Sequence, residues 1–182
     1  MRLISRALLA LTLTASLASA AHAAEILGID GMSSTVLQEH QSSFSGLGLR
    51  ARVHSAQLIP NVEILPYLEW WKNTSTVQPF DVKASRADAT VGVDARFMGE
   101  WRGLHPYAGL GLGMHFIHNE VEAPSLGLAH AEDSLIKGGP AFLGGTTFAL
   151  GGRLENFLEV KYHYVPNYSQ FKINMGLAYN FK

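Results

Sequence analysis

The stretch that decides the fold is FKINMGLAYNFK, residues 171–182. Apolar residues alternate along it with polar or small ones, and this period of two is the spacing of a β-strand with one apolar face. The apolar set is Phe171, Ile173, Met175, Leu177, Tyr179 and Phe181. A strand of this length can cross the hydrocarbon layer of a membrane at a tilt, with its aromatic end at the interface. The stretch therefore predicts the closing strand of a membrane-spanning barrel.

The first 23 residues have the three parts of a secretory signal peptide. Arg2 and Arg6 form a basic start, an apolar run covers residues 7–17, and residues 18–20 (ASA) and 21–23 (AHA) are small-residue cleavage patterns. The alternative, a membrane anchor, needs roughly 20 apolar residues, and the run is well short of that. We expect residues 1–23 to be removed and residues 24–182 to form one barrel domain.

Composition restricts the remaining possibilities. The chain has 14 Lys and Arg against 15 Asp and Glu and no cysteine, which excludes disulfides and a lipid-bearing N-terminal cysteine. Loss of Arg2 and Arg6 leaves a net charge of about −3 by the same count, with no basic stripe, so nucleic acid is not an expected partner. Since no later segment resembles a hydrophobic spanning helix, a membrane location requires a closed barrel.

Further period-two segments predict an all-β fold, an eight-stranded antiparallel up-and-down transmembrane β-barrel. The predicted strands cover residues 27–32, 44–54, 61–73, 86–97, 106–118, 137–150, 156–165 and 171–182. Long polar connections at 33–43, 74–85 and 119–136 alternate with short ones at 55–60, 99–104 and 151–155, and a brief connection covers 166–169. This predicts long loops outside the cell and short turns in the periplasm. Pro66 predicts a local bulge, because proline lacks a ladder donor.

Charged residues share one face of these strands, and this face must look into the barrel because charge is expelled from lipid. The predicted interior charges are Arg50, Arg52, Glu63, Glu69, Arg86, Asp88, Asp94, Arg96, Glu159, Lys161 and Lys172. Eight strands leave an interior that side chains just fill. The set therefore predicts a salt-bridged plug, and a narrow ion-conducting path along the same residues is the alternative.

A soluble barrel also alternates with period two, but it buries its apolar face and exposes its charges. Here the charged face accompanies bulky aliphatic residues and aromatic residues near strand ends, which indicates lipid outside. The predicted interfacial aromatics are Trp70, Trp71, Tyr162, Tyr164 and Tyr179. A soluble periplasmic barrel with an internal ligand remains the alternative.

Three motifs carry a resemblance to a family: YAGLGLG at 107–113, EVKY at 159–162 and GLAYNF at 176–181. With the alternation over residues 25–182, they resemble the small outer-membrane β-barrel proteins of the OmpA transmembrane-domain and OmpX type. Gly176, Tyr179 and Phe181 resemble the family's C-terminal barrel-insertion signal, although Lys182 follows where the chain usually stops at an aromatic. The resemblance implies a location in the bacterial outer membrane, with its lipids and the barrel-assembly machinery as partners.

Chemistry beyond the barrel has weak support in the sequence. Lipid A deacylases place a His-x-Ser motif on a late strand, but here the corresponding stretch is His163-Tyr164-Val165, and parity turns His163 inward. A group of acidic and histidine residues around the third long connection (His115, His118, Glu120, Glu122, His130, Glu132, Asp133) matches no metal-ligand spacing. We expect no cofactor, no metal and no enzyme activity. The expected role is structural, envelope-interacting or surface-binding, with a narrow channel as the alternative.

Overall fold

The computed structural model describes residues 24–38, 43–54, 61–77, 82–123 and 128–182, and the predicted signal peptide lies outside these ranges. Its strands are β1 (Glu25–Gln38), β2 (Phe44–His54), β3 (Val62–Val77), β4 (Val82–Met98), β5 (Leu104–Ala123), β6 (Leu128–Gly151), β7 (Leu154–His163) and β8 (Gln170–Asn180). Each strand pairs antiparallel with its neighbours in sequence, and β1 pairs with β8 over Gly28–Gln38 to close the barrel. The predicted eight-stranded up-and-down barrel is confirmed.

The two faces of the barrel differ in the sense that a lipid environment requires. Leu47, Leu49 and Leu112 point outward and are 63–65% exposed, whereas Arg50 and Lys161 point inward and are at most 4% exposed. A soluble barrel has the opposite arrangement. The outer surface is therefore the lipid-contacting surface of a transmembrane barrel. In the described residues, no helix has the length and apolar character to cross a bilayer.

Short turns lie at the end of the barrel where β1 begins and β8 ends, which we call the turn end. Between β4 and β5, Trp101 and Leu104 exchange two backbone hydrogen bonds of 2.9 Å. The two residues between them have positive φ angles, 50° for Arg102 and 81° for Gly103. This is the two-residue hairpin geometry that matches strand twist, and glycine fits its second position without a steric cost.

The predicted long loops at the opposite end, the extended end, are largely strand. β1 continues through the predicted loop 33–43 to Gln38, and β5 and β6 continue into 119–136 as far as Ala123 and Leu128. The prediction was wrong because polar residues interrupt the apolar alternation in these segments. In β1 the inward residues Ser34 and Val36 are nevertheless buried. In β5 and β6 the outer residues beyond the lipid meet water, so polarity there does not distinguish a strand from a loop.

Four of the strands rise beyond the rest of the barrel and form a protruding sheet, residues 72–77, 82–87, 118–123 and 128–134. β2 pairs with β3 no further than Trp71, and β7 pairs with β6 only from Ala141 onward. On the outer face, successive cross-strand rows change from apolar to polar at one level. The last apolar row is Trp70, Ala89, Phe116 and Ile136; the next rows are Lys72, Ala87, His118 and Ser134, then Thr74, Ser85, Glu120 and Glu132. This change marks the level at which the barrel leaves the lipid on this side.

The bulge predicted at Pro66 is absent from the described ladders. Pro66 pairs with Val93 in a continuous register on β4, and the β2–β3 register is the same on both sides of it, from Arg50↔Tyr67 to Val53↔Ile64. The side chain points outward and is exposed. Pro66 therefore only lacks a backbone hydrogen-bond donor for the ladder, and no extra residue is inserted to form a bulge.

Candidate functional site in the barrel interior

The interior is filled in three parts along the barrel axis. An ion-pair layer occupies the turn end, a second layer with paired histidines occupies the middle, and an apolar plug closes the extended end. The plug consists of Val36, Phe44, Trp71, Ile117, Val165 and Tyr168. Because inward side chains come from every second residue of each strand, the register between neighbouring strands determines which charges meet.

In the layer at the turn end, arginines join carboxylates from strands across the barrel. Arg50 Nε lies 2.6 Å from Asp30 Oδ2, and Arg50 Nη1 lies 2.8 Å from Glu159 Oε2. Arg52 contacts the other oxygen of Asp30 at 3.0 Å and Glu155 at 3.2 Å. These pairs connect β1, β2 and β7 across the interior. Each charge that is removed from water therefore has a partner of opposite charge.

Two further groups complete this layer. Arg96 Nη2 lies 2.7 Å from Glu63 Oε2, and its guanidinium carbon lies 4.6 Å from the Tyr107 ring centre. The Tyr107 hydroxyl donates to Glu159 over 3.0 Å, and Asn174 Nδ2 donates to the same carboxylate over 2.9 Å. Glu159 is thus bound by charged and neutral donors from three other strands.

The middle layer is organised around two lysines. Lys161 Nζ lies 2.7 Å from Asp94 Oδ2 and 3.7 Å from Glu69 Oε1, and it lies over the Tyr67 ring at 3.5 Å from the ring centre. Lys172 pairs with the other oxygen of Glu69. All four charged side chains are at most 3% exposed, so charge at this level is balanced by direct contact.

At the extended end, the connection between β7 and β8 turns into the barrel. Val165 and Tyr168 are 1% and 4% exposed. Phe44 packs on Trp71 with ring centres 4.3 Å apart. Burial raises the pKa of the Tyr168 phenol, and the adjacent Asp88 carboxylate raises it further, so the hydroxyl stays protonated and donates to Asp88 over 3.0 Å.

The structure places most of the predicted interior charges in buried positions. The buried members are Arg50, Arg52, Glu69, Asp88, Asp94, Arg96, Glu159, Lys161 and Lys172. Glu63 and Arg86 are half-buried at the two ends of the interior. Arg86 contacts a neutral group, donating from Nε to Asn119 Oδ1 over 2.6 Å, so it lies at the edge of the network.

One predicted interfacial aromatic is wrong. Trp71 is 1% exposed and belongs to the plug, because adjacent residues of a strand point to opposite faces and Trp70 takes the outward position. Trp70, Tyr162, Tyr164 and Tyr179 are 40–52% exposed on the outer surface. In the proposed insertion signal, Tyr179 and Phe181 are also exposed, while Gly176 faces inward toward the Phe157 ring.

Sequence reasoning missed one buried charge and several neutral partners. Asp30 is 1% exposed and binds both interior arginines of β2, but the first strand has few apolar residues to indicate its faces. Parity along the strands also turns four neutral residues inward, but it does not identify the groups that they contact. These residues are Tyr67, Tyr107, His115 and His163. The signal that could have found Asp30 is its alternation with Ile29 and Gly31.

The glycines of β5 make room for these side chains. A Cβ atom on Gly113 would lie 2.7 Å from Tyr67 Oη and 2.8 Å from His163 Cε1, and one on Gly111 would collide with the Asp94 carboxylate. Such distances are shorter than van der Waals contact, so a side chain here requires the interior groups to move. The glycines therefore leave the space in which the buried network meets.

The arrangement offers little for the enzyme or metal alternatives. His163 is fully buried in the interior and is followed by Tyr164 and Val165, so a serine nucleophile is missing from the predicted motif. His115 is in the interior, whereas His118 and Glu122 are on the protruding sheet; the side chain of His130 lies outside the described residues. Within the described part of the chain, no three His, Asp or Glu side chains converge to hold a metal ion.

Comparison with known proteins finds similarity of fold. The sequence matches no protein-family model and no curated protein sequence. A major outer membrane protein from Thermus thermophilus is similar with a TM-score of 0.64 at 12% identity, covering 88% of this chain and 100% of that one. The N-terminal β-barrel domain of Pseudomonas aeruginosa OprF gives 0.60 at 12%, covering 86% and 98%. Ail of Yersinia pestis, solved with the heparin analogue sucrose octasulfate, gives 0.59 at 13%, covering 87% and 98%.

Proposed function

Because the chain has the fold of small outer-membrane β-barrels, we propose that it is a non-conducting outer-membrane barrel that presents the protruding sheet outside the cell to bind extended polypeptide. The observation that carries the proposal is the edge of β6 at Ser134, directly above the last apolar row. β7 pairs with β6 only from Ala141, so in the described residues no strand covers this part of the edge. An uncovered strand edge is a template for the addition of another strand.

The backbone direction along β6 can be deduced from one contact. The Tyr164 N–H donates to the Pro140 carbonyl over 2.9 Å, so Pro140 points its backbone groups toward the β7 side. Backbone direction alternates along an antiparallel strand, and Ser134, six residues before Pro140, therefore points its N–H and C=O groups toward the open edge. Leu135 and Lys137 point theirs toward β5.

The side chains of the protruding sheet favour a polypeptide over an anionic glycan. Leu135 is 41% exposed beside Ser134, and an apolar side chain next to a strand edge can supply a pocket for an added strand. Glu120 and Glu122 share the outer face with Lys72 and Lys83, and Glu122 pairs with Lys83. This face therefore has no excess of positive charge to attract a sulfated ligand of the kind bound by Ail.

A matched pair of variants tests the edge directly. Ser134→Pro removes the N–H that points to the open edge, and Ser134→Ala keeps it; both lose the contact of Ser134 Oγ with His118 Nδ1, 3.1 Å in the wild type. Purified barrels in lipid nanodiscs are tested on an array of extended peptides about ten residues long, the span of a typical strand-addition site. We expect peptides that bind the wild type and Ser134→Ala to lose binding to Ser134→Pro. Equal binding by all three proteins, or no peptide bound by any, would contradict the proposal.

Conductance separates this role from the narrow-channel alternative. The buried pairs of Arg50, Lys161 and Lys172 cross the interior at successive levels, and the apolar plug lies above them. A single barrel in a planar bilayer is therefore expected to give no steady current. A steady, ion-selective current would favour the channel instead.

A further inference from the structure

A chain of hydrogen bonds crosses the middle of the interior through four strands. Asp88 Oδ2 on β4 lies 2.8 Å from His115 Nδ1 on β5. His115 Nε2 lies 3.0 Å from His163 Nδ1 on β7, and His163 Nε2 lies 3.1 Å from Tyr67 Oη on β3. We call Asp88, His115, His163 and Tyr67 the relay. Asp88, His115 and His163 are fully buried, and Tyr67 is 4% exposed, so each polar atom depends on its partner.

When both histidines are neutral, only one assignment of hydrogen-bond donors and acceptors fits the relay. An ionised Asp88 can only accept, so His115 must carry its proton on Nδ1 and accept at Nε2. His163 must then donate from Nδ1 and accept at Nε2, where the Tyr67 hydroxyl donates. Both imidazoles are consequently Nδ1–H tautomers. Thr90 supports this assignment, since its hydroxyl lies 3.2 Å from Asp88 Oδ1 and 2.9 Å from His115 Nδ1.

An additional proton does not fit this arrangement. On His163 it would sit among Lys161, Lys172 and Glu69, with two ammonium groups against one carboxylate, and its N–H would face the Tyr67 hydroxyl. On His115 it is attracted by Asp88, but its Nε2–H would face the Nδ1–H of His163 across 3.0 Å. Asp94 is already paired with Lys161. A proton on His115 therefore forces His163 to accept at Nδ1 and to carry its own proton on Nε2. The Tyr67 hydroxyl can then no longer donate to His163.

The carboxylate at one end of the relay also holds the plug. Asp88 Oδ2 accepts from the Tyr168 hydroxyl over 3.0 Å and from Gln170 Nε2 over 3.4 Å. The His115 and Tyr168 rings meet edge to face with centres 5.6 Å apart. The neutral His115 already donates to this oxygen, and a charge on His115 strengthens that bond at the expense of the two other donors.

From this geometry we infer that the relay is an acid-sensitive latch: proton uptake at His115 reverses the relay and releases the Tyr168 connection from the interior. The inference goes beyond the binding role of the protruding sheet and does not depend on it. The device combines a buried histidine–carboxylate pair with one loop whose position both states determine. The resulting opening is confined to the extended end, since the turn-end ion pairs contain no histidine.

The tautomers provide the first test and need no variant. Imidazole 15N chemical shifts of the folded wild-type barrel near neutral pH should show His115 and His163 as neutral Nδ1–H tautomers. Free histidine favours the Nε2–H form, so this outcome is distinctive, and the solvent-exposed His118 is the internal reference. An Nε2–H tautomer at either interior histidine would overturn the relay.

Hydrogen exchange tests the latch itself. The Tyr168 amide donates to the Val165 carbonyl over 2.8 Å, so its protection factor reports whether the connection stays folded. Between about pH 7.5 and about pH 5, we expect wild-type protection to fall about tenfold or more. His115→Asn keeps an N–H for Asp88 but cannot be charged, and its protection should stay within about twofold. His118→Asn should behave like the wild type; a wild-type protection that does not fall, or an equal fall in His115→Asn, would refute the latch.

Discussion

The barrel interior and the protruding sheet are built from the same strands, but different interactions hold them. The Lys161–Asp94 pair is 1% exposed on both sides, with a distance of 2.7 Å, whereas the Lys83–Glu122 pair on the protruding sheet is 54% and 40% exposed at 3.9 Å. In the interior a charge without a partner has no water to solvate it. On the sheet, water replaces a lost partner. Substitutions should therefore lower the free energy of unfolding more in the barrel interior than in the protruding sheet. The sequence of the protruding sheet is correspondingly free to vary.

The largest difference is expected from removing one charge in each region. Lys161→Met leaves Asp94 without its cation and is expected to lower the free energy of unfolding by about 3–5 kcal/mol. Lys83→Met should change it by less than about 1 kcal/mol. Urea unfolding in lipid vesicles, followed by the difference in electrophoretic migration with and without boiling, measures both. Similar values for the two variants would show that the interior pairs are not what holds the barrel.

A smaller difference is expected from adding a methyl group. Gly113→Ala places Cβ against Tyr67 Oη and His163 Cε1, and overpacking of this kind costs about 1–3 kcal/mol. Gly138→Ala on β6 is the control, because the nearest atom to its Cβ, the Gly113 carbonyl oxygen, lies at 3.4 Å. The same unfolding assay should find the control close to the wild type. A Gly138→Ala variant as unstable as Gly113→Ala would mean that glycine matters for strand formation here, not for interior space.

The smallest effect is expected from shortening the protruding sheet. Asn119 and Asp133 are direct partners on β5 and β6, so a two-residue Asn-Gly turn between them preserves the register of the remaining hairpin. The shortened barrel should retain the migration shift on boiling and a wild-type unfolding midpoint, because the plug and both ion-pair layers lie below the deletion. Failure to fold would instead assign the hairpin a structural role and weaken its interpretation as a binding surface.

The alternation in the sequence predicts the fold and the inward direction of most charges because lipid allows one arrangement of faces. Arg50, Asp94 and Lys161 could be placed in the interior on that ground. The pairs they form could not, since contacts across the barrel depend on how far each strand is shifted against the next. The relay is an example: His115 and His163 are 48 positions apart, and their meeting depends on the ladders between β5, β6 and β7.

Other predictions failed where the membrane no longer constrains the residues. Residues 119–136 were assigned to a loop because Glu120, Glu122, Glu132 and Asp133 are polar, yet the ladder continues to the Ala123↔Leu128 pair. Trp71 was assigned to the interface from its residue type, although its parity relative to Trp70 indicates the interior. Where residue type and parity conflict within a strand, parity was the better guide in this barrel.

The pairing of β1 with β8 also determines when this protein can fold. Eleven residue pairs join Gly28–Gln38 to Gln170–Asn180, so the earliest and latest parts of the chain must meet before the last edge is covered. Contacts this distant in sequence carry a large loop-closure entropy and slow the folding of a chain. A chain still emerging from its synthesis or export machinery has no β8, and its β1 edge stays open to other chains. Assembly must accordingly wait for the C-terminal strand, and a loss of residues 170–182 should leave an aggregation-prone precursor instead of a smaller barrel.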